Sequence, residues 1–105
     1  MAKVIEEGSD LVLKLSALEK LGAFHGDLRI AKSQLESIEE VENPWTLATL
    51  KGVRAPGTGI PFVIMLGTLR YPRGKDFAAV YKKRPVHIYN LKDSRYKRWI
   101  VTIEK

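Results

Sequence analysis

Short apolar runs of strand length, broken roughly every 8 to 15 residues by glycine, proline or clustered charge, restrict this chain to an antiparallel β architecture. Asp10 to Leu15 alternates, with Leu11, Leu13 and Leu15 on one side, as a half-buried strand requires. Phe24 to Ile30 predicts a second strand, with Phe24, Leu28 and Ile30 sharing parity and His25, Asp27 and Arg29 on the other face. Phe62 to Gly67 is continuously apolar and reads as a strand covered on both faces. Phe77 to Tyr81 and Val86 to Leu91 follow, and Trp99, Val101 and Ile103 alternate in a last strand. The expected core is Leu13, Leu28, Ile38, Ile64, Leu66, Val80, Ile88 and Trp99. About seven strands with no βαβ alternation indicate a sandwich or a small, partly open barrel and exclude a doubly wound sheet.

Helical signals are brief. Ser16-Ala17-Leu18-Glu19 has the capping-box spacing and Gly22 suits a terminator, which predicts about one turn. Asn43-Pro44-Trp45 opens a second turn, carrying Trp45, Leu47, Ala48 and Leu50 until Gly52. Leu35, Ile38 and Val41 are spaced by three, as in a helix, yet the glutamates and branched residues around them fit a strand nearly as well. Arg54 to Pro61 holds two prolines and two glycines and reads as a shaped loop. Arg70 to Asp76, Lys82 to Pro85 and Lys92 to Lys97 read as connections.

A chain of 105 residues forms one core, so residues 1–105 are a single domain, with 1–8 either a flexible end or an extra strand. No apolar run approaches the roughly 20 residues of a membrane span, and the N-terminus turns acidic too early for a secretory signal. The absence of cysteine excludes disulfides, thiol nucleophiles and iron–sulfur clusters, and a cytoplasmic location is expected. Charge divides the chain: residues 1 to 50 hold five Lys and Arg against nine Asp and Glu, residues 51 to 105 thirteen against three. Either the two halves neutralise each other within the domain, or the second half presents a surface that attracts anions.

Catalytic constellations are weak. His25-Gly26-Asp27 has the residue types of a base and its orienting carboxylate, but on a strand a surface hydrogen bond explains the pair. His87 stands alone, so no metal site is expected and no cofactor is implied. Gly57 and Gly59 lack the lysine and hydroxyl of a phosphate-binding loop. The clusters Lys82-Lys83-Arg84 and Lys92, Arg95, Lys97, Arg98 lie at opposite ends of the strand between them, which makes a distributed positive surface rather than one pocket.

Asn43-Pro44-Trp45, the segment Arg54 to Pro61, Leu66-Gly67-Thr68, Asp76 to Tyr81 and Arg84-Pro85, taken in order, resemble a family of uncharacterised bacterial proteins with a pleckstrin-homology-like fold. The resemblance covers about residues 10 to 103. It implies two antiparallel sheets of four and three strands and favours a strand over residues 35 to 42. Such a barrel usually has one end plugged by a helix after the last strand, and with only two residues following Ile103 here the expectation is an open end, available to the N-terminus or to a second copy. Asp27 would repel a phosphate, so inositol-phosphate recognition does not carry over. The implied function is a non-catalytic interaction module for a protein or an anionic surface. The alternatives are a nucleic-acid-binding domain and, behind it, a small-ligand barrel or enzyme. In such an arrangement Lys20, Lys51, Arg54, Lys92, Arg95 and Lys97 share a rim, with Trp45 as apolar anchor and Arg54 at its centre.

Overall fold

Alternation and turn chemistry act as the sequence leads one to expect over most of the chain, and they produce more strands than seven. A computed structural model describes residues 2–50 and 52–103, with only the backbone for 53–56. In chain order the elements are β1 (Lys3–Glu7), β2 (Asp10–Lys14), α1 (Ala17–Ala23), β3 (Leu28–Ala31), β4 (Leu35–Val41), β5 (Val53–Ile60), β6 (Ile64–Tyr71), β7 (Gly74–Tyr81), β8 (Val86–Leu91) and β9 (Arg98–Thr102). They form a mainly β sandwich with one sheet of three strands, β1-β2-β3, and one of six, β4-β8-β9-β7-β6-β5, where sheets of four and three were expected. The first residues supply the extra-strand alternative, since Lys3 to Glu7 pairs with Lys14 to Asp10.

The helix is capped as its sequence predicts. The Ser16 hydroxyl accepts from the Glu19 N–H at 3.2 Å and the Glu19 carboxylate accepts from the Ser16 N–H at 2.8 Å. Termination differs, because the helix passes Gly22 and closes on Phe24, which takes the left-handed conformation at φ 54°. The predicted strand over 24 to 30 therefore shortens to Leu28–Ala31, and His25 and Asp27 fall outside it.

Residues 35 to 41 form a strand, but Ile38 is 51% exposed and does not belong to the core. β4 is an edge strand whose pairing shifts between Leu35 and Ser37, and one inserted residue swaps the faces on which later side chains emerge. Leu35 consequently packs on one apolar cluster and Val41 on the other, while the centre of the strand stays in solvent. The segment expected to be a loop at 54 to 61 is instead β5, the opposite edge of the sheet. Pro56 is tolerated there because an edge strand has free N–H positions and the pairing shifts between Arg54 and Gly57. A side chain at Gly57, φ 152°, would meet the Leu66 carbonyl at 2.3 Å, so glycine is what lets the two strands approach. Residues 70 to 76 are likewise a tight hairpin, with Tyr71 opposite Gly74 across Pro72-Arg73.

Two apolar clusters follow. Leu13, Leu28, Leu66, Phe77, Trp99 and Val101 fill the space between the sheets. Leu69, Val80, Val86, Ile88 and Ile100 lie on the outer face of the large sheet, covered by Trp45 and Leu50. That cover is one hydrogen-bonded turn rather than a helix, the Thr46 carbonyl accepting from the Thr49 and Leu50 N–H groups at 3.2 and 2.8 Å. Ile64 is only partly buried; the other expected core residues apart from Ile38 are buried.

Candidate binding rim at the β6–β7 hairpin

Hairpin logic would set β8 beside β7. Instead β9 lies between them, parallel to β7 and antiparallel to β8. This brings the connection 92–97 against the β6–β7 hairpin, where the Lys97 N–H donates to the Lys75 carbonyl at 2.7 Å. Gly74 suits the contact, because its φ of 155° is one that side-chain-bearing residues rarely adopt and a Cβ there would press on the Lys97 stem at 2.9 Å. Beneath the contact lies a buried ion pair. The Arg98 guanidinium donates through Nε and Nη2 to Asp76 Oδ2 at 2.9 and 2.7 Å, and Tyr71 donates its hydroxyl to Oδ1 at 2.7 Å. Arg98 also reaches the Ala48 and Thr49 carbonyls at 3.3 and 2.8 Å, which fastens the 43–50 cover to the same point. Burial, followed by the Asp76 hydrogen bond and charge, pushes the Tyr71 hydroxyl well above the usual phenol range.

On this support the segments 70–75 and 92–97 carry Arg70, Arg73, Lys75, Lys92, Arg95 and Lys97 against the single carboxylate Asp93. Lys75 lies over the Tyr96 ring, its ammonium 4.8 Å from the centroid. Its pKa is lowered first by desolvation and then by the charges of Arg70 and Arg95. Arg73, Lys75, Lys92, Arg95 and Lys97 make no ion pair with a described carboxylate. Several anions of the acidic first half are taken locally, while Glu36 lines a cleft together with Arg73 and Lys97. Arg29 bonds Glu7 and Asp10 at 2.7 and 2.9 Å, Lys32 bonds Glu6 at 3.0 Å, and Lys14 and Lys20 both lie 3.8 Å from Asp27.

The residues expected to share a rim are only partly brought together. Lys92, Arg95 and Lys97 stand on it. Arg54 lies at the same end of the sheet by its backbone pairing with Leu69, and its side chain, like Lys51 as a whole, lies outside the described residues. Lys20 is turned to Asp27 beside the helix. Trp45 is at the other end of the sheet, donating its indole N–H to the Lys82 carbonyl at 2.6 Å. Arg70, Arg73 and Lys75 were missed because their hairpin reads as a loop; Tyr71-Pro72-Arg73-Gly74 between two apolar stretches was the available signal.

Neither histidine is set up for catalysis. His25 hydrogen-bonds the Gly26 carbonyl through Nδ1 at 2.8 Å and packs edge-on to Phe77 and Tyr96. Asp27 is engaged elsewhere, accepting from the Leu15 N–H at 2.7 Å. His87 faces Glu40 at 3.8 Å on the exposed strand β4. Beside His25 a cleft of about 310 Å³ opens between the sheets, lined by Arg29, Gln34, Arg95, Tyr96 and Trp99 among others. Among the described residues no group of three His, Asp or Glu could hold a metal ion, and no helix is long and apolar enough to cross a membrane. No protein-family model matches the chain, and comparison with curated proteins and with solved structures finds no match.

Proposed function

We propose that this protein is a non-catalytic interaction module of the pleckstrin-homology-like kind, working in the cytoplasm, whose β6–β7 rim receives an acidic partner protein. One observation carries the proposal: Arg70, Lys75 and Arg95 line one open cleft, on a scaffold fixed by the buried Asp76–Arg98 pair. Like charges are costly to gather unless an anion offsets them, and an electropositive rim accelerates encounter with an acidic surface. None of the large exposed apolar side chains belongs to the segments 70–75 or 92–97, which suits a polar protein contact. Tyr96 is buried beneath Lys75 and offers no open ring for base stacking, which disfavours single-stranded nucleic acid.

A labelled polyglutamate peptide serves as the acidic probe in fluorescence anisotropy. Binding by the wild type should weaken as salt rises from about 50 to 200 mM and should fall at least tenfold in Arg73→Glu/Arg95→Glu, with His25→Ala/His87→Ala unchanged. Loss of binding in the histidine pair, with the arginine pair intact, would refute the charged rim.

A further inference from the structure

The opposite end of the six-stranded sheet is built differently from the rim. There β5 turns into β6 through Pro61-Phe62-Val63, with the Val63 N–H donating to the Ile60 carbonyl at 2.9 Å. Ile60, Phe62 and Val63 are each more than half exposed, at 53, 55 and 51%. Phe62 has φ 64°, a left-handed conformation in which an aromatic residue is an outlier and glycine or asparagine is comfortable. The fold thus bears backbone strain to hold an apolar ring in water, a cost expected where the ring serves a function. The turn is also tied to a cluster of cations. The Lys82 N–H donates to the Val63 carbonyl at 2.8 Å, Lys83 places its ammonium 5.1 Å from the Phe62 centroid, and Arg84 follows in the same turn. Trp45 completes the tip, its ring 5.6 Å from Phe62 and its N–H on the Lys82 carbonyl. Glu42, after the last residue of β4, is the nearby acidic residue in sequence terms, and Glu40 faces His87.

We infer that this tip docks on an anionic lipid bilayer, with Phe62 and Val63 entering the headgroup region and Lys82 and Lys83 meeting lipid phosphates. Exposed apolar side chains ringed by cations match a surface that is negative outside and apolar beneath, and a tryptophan with one apolar side and one hydrogen-bonded N–H is suited to that boundary. An acidic protein would satisfy the lysines but leave the apolar tip without a counterpart. Each lysine brought to an anionic membrane contributes about a fivefold gain in partitioning. The tip is separate from the rim, so the two surfaces allow the domain to hold an acidic partner at a membrane.

Vesicles of phosphatidylcholine alone and of phosphatidylcholine mixed equally with phosphatidylglycerol test the inference by co-sedimentation, with tryptophan emission followed in parallel. The protein should bind the anionic vesicles only, with a blue shift from Trp45. Phe62→Gly should weaken binding about tenfold without lowering the melting temperature, because the substitution removes backbone strain. Lys82→Gln/Lys83→Gln should weaken it by about 25-fold, whereas the rim variant Arg73→Glu/Arg95→Glu should retain the blue shift. No binding to anionic vesicles at low salt, or binding lost in the rim variant and kept in Phe62→Gly, would overturn it. A concentration-dependent dimer dissolved by Phe62→Gly, without vesicle binding, would assign the tip to a second copy and also overturn it.

Discussion

Replacing Asp76 by Asn removes one charge and almost no volume at a side chain with no solvent exposure. The amide can still accept one hydrogen bond, but the Arg98 guanidinium, its side chain only 14% exposed, loses the carboxylate that both Nε and Nη2 address. Breaking a buried pair by removing one partner costs about 3 to 5 kcal/mol, and the residual exposure of Arg98 places this case near 3. A domain of this size has a total stability of about 5 to 15 kcal/mol and an unfolding entropy that converts 1 kcal/mol into about 4 to 5 °C. Asp76→Asn should therefore lower the melting temperature by roughly 14 °C or more, as followed by circular dichroism. Arg98→Met leaves the buried carboxylate without its counter-charge, held only by the Tyr71 hydroxyl, and should be at least as damaging, whereas Asp76→Leu/Arg98→Met should recover part of the loss. A melting temperature within about 2 °C of wild type for Asp76→Asn would refute the claim that this pair anchors the rim and the 43–50 cover.

Acid sensitivity should centre on Glu19. Burial would raise its carboxyl, but hydrogen bonds from the Ser16 N–H, the Tyr81 hydroxyl and the Ala2 N–H outweigh it and hold the folded pKa below its ordinary value of 4.5. Its contribution is thus complete above that unfolded value and is lost as pH falls through the lower folded one, so thermal melts of Glu19→Gln should show reduced stability at neutral pH and a shallower acid slope. In the core, Val80→Asp should abolish cooperative unfolding by burying an unpaired carboxylate, while Ile38→Ser on the exposed edge should change stability by less than about 0.5 kcal/mol in urea titration.

Features set by near neighbours were legible in the sequence. Ser16 and Glu19 announce a helix start because both hydrogen bonds of the capping box close within four residues. Trp99 and Val101 announce an inward face because strand alternation is local. What failed depended on partners distant in the chain. Proline and glycine at 56 and 57 look like loop chemistry, and only the edge position and the approach to Leu66 turn them into a strand. Ile38 looks buried because nothing in its own segment discloses an edge strand with a shifted register. For the candidate site, Lys92, Arg95 and Lys97 were identifiable from charge, whereas their companions on 70–75 depend on β9 entering the sheet between β7 and β8. Trp45 was expected as the apolar anchor of the same rim, but its hydrogen bond to the Lys82 carbonyl puts it at the other end of the sheet, a placement its own segment does not disclose.

The most direct measurement of the charged-rim proposal is a titration of the nitrogen-15-labelled protein with polyglutamate, followed amide by amide in two-dimensional NMR. Shifts concentrated in residues 70–75 and 92–97, diminishing as salt is added, are the expected result. Shifts centred on His25 or His87, or a spectrum unmoved by the polyanion at low salt, would contradict it.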